Sequence, residues 1–263
     1  MPFPRSSGIL LHPTSFPSRF GIGDLGDEAY RFIDFLKDGY QQYWQILPLG
    51  PTGFGNSPYM CYSALAGNPL LISPDKLQDA GLLSDDDFAN FPEFPLDNVD
   101  YQRVESAKIP LLKKACSNFK ANNTPETIKA FEEFCYSKAY WLDDYSLFMA
   151  LKDSTGGASW NSWDEDIASR KPKAIEKAKK DLHSEVFYHK FLQFQFYSQW
   201  SKLREYANNN GVQIVGDIPI YVAHDSADVW GNPENFCLDK ETGAASLMAG
   251  VPPDYFRDRK SVV

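Results

Sequence analysis

Runs able to form β-strands occur only near the two ends of this sequence, and their placement restricts the topology more than anything else in it. Gly8-Ile9-Leu10-Leu11 is a short apolar run closed by His12-Pro13, and a polar loop rich in Pro, Ser and Gly follows over residues 14–26. Over residues 27–38 the apolar side chains fall at Ala29, Phe32, Ile33 and Leu36, with Asp27 and Glu28 in the first turn and Gly39 as the stop. That is helical spacing. Tyr43-Trp44-Gln45-Ile46-Leu47 is the second strand run, closed by Pro48. Strand, helix and strand at this spacing predict a βαβ unit and hence a parallel sheet. The third run, residues 212–222, is β-branched and nearly continuous. It reads as a strand buried on both faces, with Pro219 limiting the ladder.

Between these runs, residues 75–208 read as helices without a convincing strand. Thr124-Pro125-Glu126 supplies an N-cap, a Pro at the first helical position and an acid in the first turn. The helix that it opens is predicted to reach about Lys152, before Ser154-Thr155-Gly156-Gly157 breaks it. Residues 171–180 hold a lysine cluster with Ala174, Ile175 and Ala178 as the apolar positions, which predicts a solvated helix face. A longer helix over about residues 184–207 carries Phe187, Tyr188, Phe191, Phe194, Phe196 and Tyr197 as its packing face, and Asn208-Asn209-Asn210-Gly211 ends it. The pattern as a whole predicts a parallel α/β scaffold interrupted by a helical insertion.

Composition narrows function by exclusion. With 263 residues, 43% of them hydrophobic, the chain can bury a substantial core. A formal net charge of -9 argues against nucleic acid or an anionic membrane as the main partner. No stretch approaches the ~20 consecutive apolar residues of a membrane span. No signal peptide is visible over residues 1–8, so a cytoplasmic protein is expected. Cys61, Cys116, Cys135 and Cys237 are scattered, which predicts reduced thiols. Scattered acids and isolated histidines predict no metal site, and no cofactor is expected. Aromatic residues make up 15% of the chain, and their faces either fill cores or stack on the apolar faces of sugars and bases.

Parallel α/β folds gather their chemistry at the C-terminal ends of strands. Here that directs attention to the long loop at residues 49–66, to Asp217, and to the segment beyond it with His224, Asp225 and Asp228. A carboxylate closing an apolar strand faces a site or needs a buried partner. Asp225 and Asp228 read as caps of a following helix, and His224 as a lone polar loop residue. Gly21-Ile22-Gly23-Asp24-Leu25-Gly26 fits a dinucleotide fingerprint in length, but it follows a loop rather than a strand.

Six segments together resemble the amylomaltase family, the 4-α-glucanotransferases or disproportionating enzymes. They are Gly8-Ile9-Leu10-Leu11-His12-Pro13-Thr14-Ser15, Phe20-Gly21-Ile22-Gly23-Asp24-Leu25-Gly26, Gly55-Asn56-Ser57-Pro58-Tyr59, Ala66-Gly67-Asn68-Pro69-Leu70, Gly216-Asp217-Ile218-Pro219-Ile220-Tyr221-Val222 and Gly250-Val251-Pro252-Pro253-Asp254-Tyr255-Phe256. The resemblance implies a partial (β/α)8 TIM barrel with a large helical insertion. It divides the chain into first barrel strands at 1–74, the insertion at 75–208, and a barrel strand with an acceptor-side loop at 209–256. It implies transfer of α-1,4-glucan segments between maltodextrins with retention, through a carboxylate nucleophile and a second carboxylic acid ~5–5.5 Å away. Carried over by position, Tyr59 stacks on the sugar beside the cleaved bond with Ser57 near it. Asp217 lies close to that sugar, and Asp254, Tyr255 and Phe256 cover the acceptor side. These are substrate contacts, not catalytic groups.

The family's nucleophile lies in an Arg-x-Asp motif on the next strand, and its general acid lies further on. Neither follows Phe256 here. Residues 257–263, Arg257-Asp258-Arg259-Lys260-Ser261-Val262-Val263, depart from the family's Ser-x-Thr-Gly-x-x-Trp continuation and read as the aberrant tail of a frameshift. This polypeptide alone is therefore expected to be inactive and to fold poorly, with an unpaired sheet edge. The competing expectations are a non-catalytic glucan-binding fragment and a hydrolase of the same class.

Overall fold

The computed structural model describes residues 5–122, 124–239 and 242–247. Three short strands form one parallel sheet in the order β1 (Gly8–Leu10), β2 (Tyr43–Gln45) and β3 (Gln213–Val215). The register places Ile9, Trp44 and Ile214 in one row and Leu10, Gln45 and Val215 in the next. Side chains alternate across a pleated strand, so the two rows face opposite ways. The first row packs inward, with Trp44 fully buried at the hub and its indole N–H donating to the carbonyl of Leu11 at 2.8 Å. The second row faces solvent, where Leu10 is 54% exposed and Val215 42%.

The predicted βαβ unit is present. Helix α1 (Asp27–Asp38) buries Ala29, Ile33 and Leu36 in the same core as Trp44 and Ile46. The third strand differs from its expectation. The run over 212–222 pairs only over Gln213–Val215, and Ile218 and Ile220 stand 71% and 89% exposed. Pro219 has no N–H for a ladder. Among the described residues, the sheet is also covered on one face only, so the chain leaves it after Val215.

Nine helices of four residues or more occur among the described residues, and no strand lies between β2 and β3. After α2 (Pro74–Asp79) and α3 (Asp85–Phe88) come the long α4 (Tyr101–Asn122) and α5 (Pro125–Ser154). The predicted cap of α5 is observed, with Thr124 Oγ1 accepting from the Thr127 N–H at 3.3 Å. Short α6 (Glu165–Ala168) and the lysine-bearing α7 (Pro172–Asp181) lead into α8 (His183–Asn209). Helix α7 buries only Ala178, as a solvated helix would. Helix α9 (Ala227–Gly231) follows β3.

Helix α8 joins the two parts of the molecule. Phe191, Leu192 and Phe196 pack in the same core as Phe119 of α4 and Phe131 of α5, and Leu203 and Ala207 continue that core onto Trp44 and α1. A second cluster gathers Trp141, Tyr145 and Phe148 of α5 with Trp160, Trp163 and Trp230. At the outer end, fully buried Lys108 of α4 donates to the carbonyl of Leu70 at 2.7 Å and to Asp24 Oδ2 at 3.2 Å. Burial is the larger influence on this pair: it raises the Asp24 pKa and lowers that of Lys108, while each partner opposes the shift.

Candidate substrate site at the strand ends

The loop after β2 is held as a narrow hairpin. Thr52 bridges Cys61 in antiparallel fashion. The Gly53 N–H donates to the Met60 carbonyl at 2.7 Å, and the Tyr62 N–H to that of Pro51 at 2.9 Å. At the tip the backbone turns left-handed at Gly55 (φ 69°) and Asn56 (φ 54°), the residue types that adopt this conformation most readily. The turn presents Ser57 and Tyr59, and Ser57 Oγ accepts from the Tyr59 N–H at 3.4 Å. Below the tip, Asp228 Oδ2 accepts from the Ala64 N–H at 2.8 Å, and Ser63 Oγ from those of Leu65 and Ala66. The Gln193 side-chain amide brackets Gly67, accepting its N–H at 2.7 Å and donating to its carbonyl at 2.9 Å. A Cβ at Gly67 would lie 2.0 Å from the ring of Phe196, so only glycine lets α8 come this close.

Tyr59 and Asp217 meet across the ends of β2 and β3. The Tyr59 hydroxyl donates to Asp217 Oδ2 at 2.7 Å, and Asp217 Oδ1 accepts from the Ile218 N–H at 2.8 Å. The accepting carboxylate holds the Tyr59 hydroxyl above its usual pKa. Asp217 is exposed and Tyr59 is 43% exposed, so the ring keeps an open face. His12 follows β1. Its Nδ1 accepts from the Thr14 N–H and hydroxyl, and Nε2–H then donates to the Pro48 carbonyl at 3.3 Å. Burial lowers the His12 pKa, so this neutral tautomer fixes the end of β1 to the segment after β2. An aromatic face, a phenol fixed in direction and a carboxylate oxygen suit a ligand with an apolar ring face and many hydroxyls. They do not constitute a nucleophile with its base.

One expectation for the segment after β3 is corrected. Asp225 and Asp228 do not cap α9. Ser226 does, its Oγ accepting from the Val229 N–H at 3.3 Å. Asp225 instead receives the Lys152 ammonium at 2.6 Å, and Asp228 binds the loop at Ala64. Lys152 is nearly buried at the end of α5 and also donates to the carbonyls of Gly157 and Ala158, so α5 is tied to the segment before α9. Asp217, expected either to face a site or to need a buried partner, is exposed and pairs with Tyr59 and the Ile218 N–H. His224 is a structural loop residue as expected, with Nε2 at 2.8 Å from the Gly243 carbonyl and its ring against Trp160.

A cleft of about 620 Å³ opens beside the hairpin, between Thr52, Gly53, Tyr62, Tyr101, Glu105 and Lys152. Burial raises the Glu105 pKa. Neither Tyr59 nor Asp217 lines this cleft. The strand-end pair marks the site better, because ligands of parallel sheets bind where the strands end.

Ser57, Tyr59 and Asp217 are thus brought together, whereas Asp254, Tyr255, Phe256 and the tail at 257–263 lie outside the described residues. The loop-supporting roles of Gln193 and Asp228, and the tie made by Lys152, were not anticipated. Gln193, Gln195 and Gln199 interleaved with phenylalanines on one helix were the available signal, since buried amides must find partners. Among the described residues, no group of three or more His, Cys, Asp or Glu could hold a metal ion, and no helix is long and apolar enough to cross a membrane.

Comparison with known proteins shows the family. The model of the 4-alpha-glucanotransferase family matches residues 11–259. A 4-alpha-glucanotransferase of Synechocystis is 58% identical over 96% of this chain and 50% of its own length. One of Thermus thermophilus is 48% identical over 98% of this chain and 51% of its own. Amylomaltase from Streptococcus agalactiae, solved in complex with acarbose, superimposes with a TM-score of 0.86 at 41% identity, over 90% of this chain and 48% of that one. The chain spans about half the length of the relatives it matches. On the family match and these identities, this chain belongs to the 4-alpha-glucanotransferase family.

Proposed function

We propose that the strand-end site takes α-1,4-glucans. The whole protein to which this chain corresponds then moves glucan segments between maltodextrins by a retaining double displacement. The observation that carries this reading is the hydrogen bond between Tyr59 and Asp217, which sets an open aromatic face beside a carboxylate at the ends of two parallel strands. In this reading the three strands are the first part of a (β/α)8 barrel, and residues 75–208 are its helical insertion. Tyr59 stacks on the sugar beside the cleaved bond, Ser57 and Asp217 contact the same sugar, and Asp254, Tyr255 and Phe256 cover the acceptor side. The nucleophile and general acid belong to the half of the family's length that this chain does not span. Residues 1–263 alone are therefore expected to lack transfer activity, and a non-catalytic glucan-binding fragment is the alternative.

Transfer requires an acceptor hydroxyl to outcompete water at a covalent intermediate. Aromatic platforms help by excluding water and orienting the incoming sugar. Incubation of the whole protein with maltotriose tests the reaction. Glucose together with longer maltodextrins is the expected outcome, and glucose with maltose alone would make it a hydrolase. For this chain, calorimetric titration with maltoheptaose tests the site. Tyr59→Ala is expected to weaken binding about tenfold, as loss of a stacking platform does. Unchanged binding would remove Tyr59 from the site.

A further inference from the structure

Lys152 stands near the end of α5 with its side chain only 4% exposed. An ammonium so placed is stable only where partners replace its water. Two of those partners are local. The carbonyls of Gly157 and Ala158, at 3.1 and 3.2 Å, lie just past the end of its own helix. With these alone, Lys152 would be a cap of α5 and nothing more. Asp225 Oδ2, at 2.6 Å, comes instead from beyond β3. The other oxygen of Asp225 accepts the Trp160 N–H at 3.3 Å, and the Trp160 indole N–H donates to the His224 carbonyl at 2.8 Å. Residues 224 and 225 are thus held from the side of α5.

The residues that follow hold the hairpin. The Ala227 N–H donates to the Tyr62 carbonyl at 2.8 Å, and Asp228 Oδ2 accepts from the Ala64 N–H at the same distance. The Lys152 ammonium also lies over the Tyr62 ring, 5.0 Å from its centre. Tyr62 belongs to the base of the hairpin, its N–H donating to the Pro51 carbonyl at 2.9 Å, and Tyr59 stands just before it in the chain. Asp217 lies a few residues before His224 on the same stretch of chain. Both members of the Tyr59–Asp217 hydrogen bond therefore hang from residues 224–228, one through the hairpin and one through the backbone. We infer that Lys152 is a positioning residue for the candidate sugar site: by anchoring Asp225 and the Tyr62 ring, it sets the Tyr59 hydroxyl against Asp217 and so fixes the ring face that a glucan meets. This rests on the reading that the site takes α-glucans.

Two measurements separate the positioning role from that reading. Carbon-13 labelling of the tyrosine rings reports the Tyr59–Asp217 hydrogen bond at neutral pH without ligand. The Tyr59 signal is assigned by its loss in Tyr59→Phe, and its unbonded position is given by Asp217→Ala. Calorimetric titration with maltoheptaose reports the site. The variants are Lys152→Met, Asp225→Ala and the two together. Phe131→Leu, in the core cluster that Tyr62 does not join, controls for general loss of stability. Each single change at the pair is expected to move the Tyr59 signal toward its Asp217→Ala position and to weaken maltoheptaose binding about fivefold. The double variant should do no more than either alone, since both cut one route. Phe131→Leu should lower the urea midpoint and move neither readout. A Tyr59 signal that stays in place in the folded variants overturns the positioning role, whether or not affinity falls, and so do additive effects in the double variant. Should Lys152→Met fail to fold, Asp225→Ala, at a side chain 31% exposed, carries the same test. No maltoheptaose binding by the unaltered chain overturns the glucan reading, while the Tyr59 signal still decides whether Lys152 sets the pair.

Discussion

The helical region and the strand region of this molecule are built to different standards of closure. Around α4, α5 and α8, Phe119, Phe148 and Phe191 have 2% exposure or less, and the buried Lys108, Gln193 and Gln199 each have hydrogen-bond partners. At the strands, one face of the sheet is in solvent and Ile218 and Ile220 are mostly exposed. Yet the candidate ligand residues stand on the open side, held by side chains reaching from the closed one. Stability and recognition are thus divided between two regions. The polar contacts of α8, α9 and Lys152 join them.

The division can be broken most directly in the core. Phe191→Ala is expected to cost about 3–5 kcal/mol, as buried Phe truncations do. Ile220→Ser, out in solvent, is expected to stay within about 0.5 kcal/mol. Urea denaturation of both variants checks the contrast, and comparable losses would mean that the open side is covered in solution. Gln193→Leu comes next. It leaves the N–H and carbonyl of Gly67 without partners, an expected cost of about 2–4 kcal/mol. Hydrogen exchange should show the Gly67 amide losing protection more than the amides of α5. Equal loss throughout would deny that the loop is a separate dependent unit.

The smallest expected effect concerns the Tyr59–Asp217 pair. The Tyr59 pKa is raised in the folded chain, so the pair contributes its stability below the ordinary tyrosine value of about 10. That contribution is lost as pH rises through the folded value. The phenolate absorbance of the chain minus that of Tyr59→Phe should show one tyrosine titrating above pH ~10. Titration at or below that value would mean that the hydrogen bond is not formed in solution.

Local chemistry made some of this legible in the sequence. The βαβ unit followed from spacing and punctuation, and the start of α5 from Thr124-Pro125-Glu126. The third strand was over-read because composition reports β-branched residues, whereas pairing depends on neighbours that the described sheet does not supply beyond Val215. Asp225 was misassigned for a related reason. A carboxylate just before a helix satisfies a local capping rule, but the Lys152 ammonium reaching in from α5 is a stronger partner, and nothing near Asp225 in sequence reveals it. Tyr59 and Asp217 lie far apart in the chain. Only the resemblance to the amylomaltases put them at one sugar, since periodicity carries no information about such a contact.

The glutamine brackets on α8 have one more consequence. Gln193 holds both backbone groups of Gly67, and Gln199 holds both of Ser73, accepting its N–H at 2.8 Å and donating to its carbonyl at 3.2 Å. The two glutamines are as far apart in sequence as the two residues they hold, so the helix acts as a ruler for the segment between. A single inserted or deleted residue there would lift at least one end off its mark. Natural length variation should therefore fall outside residues 67–73, in loops that no such helix measures.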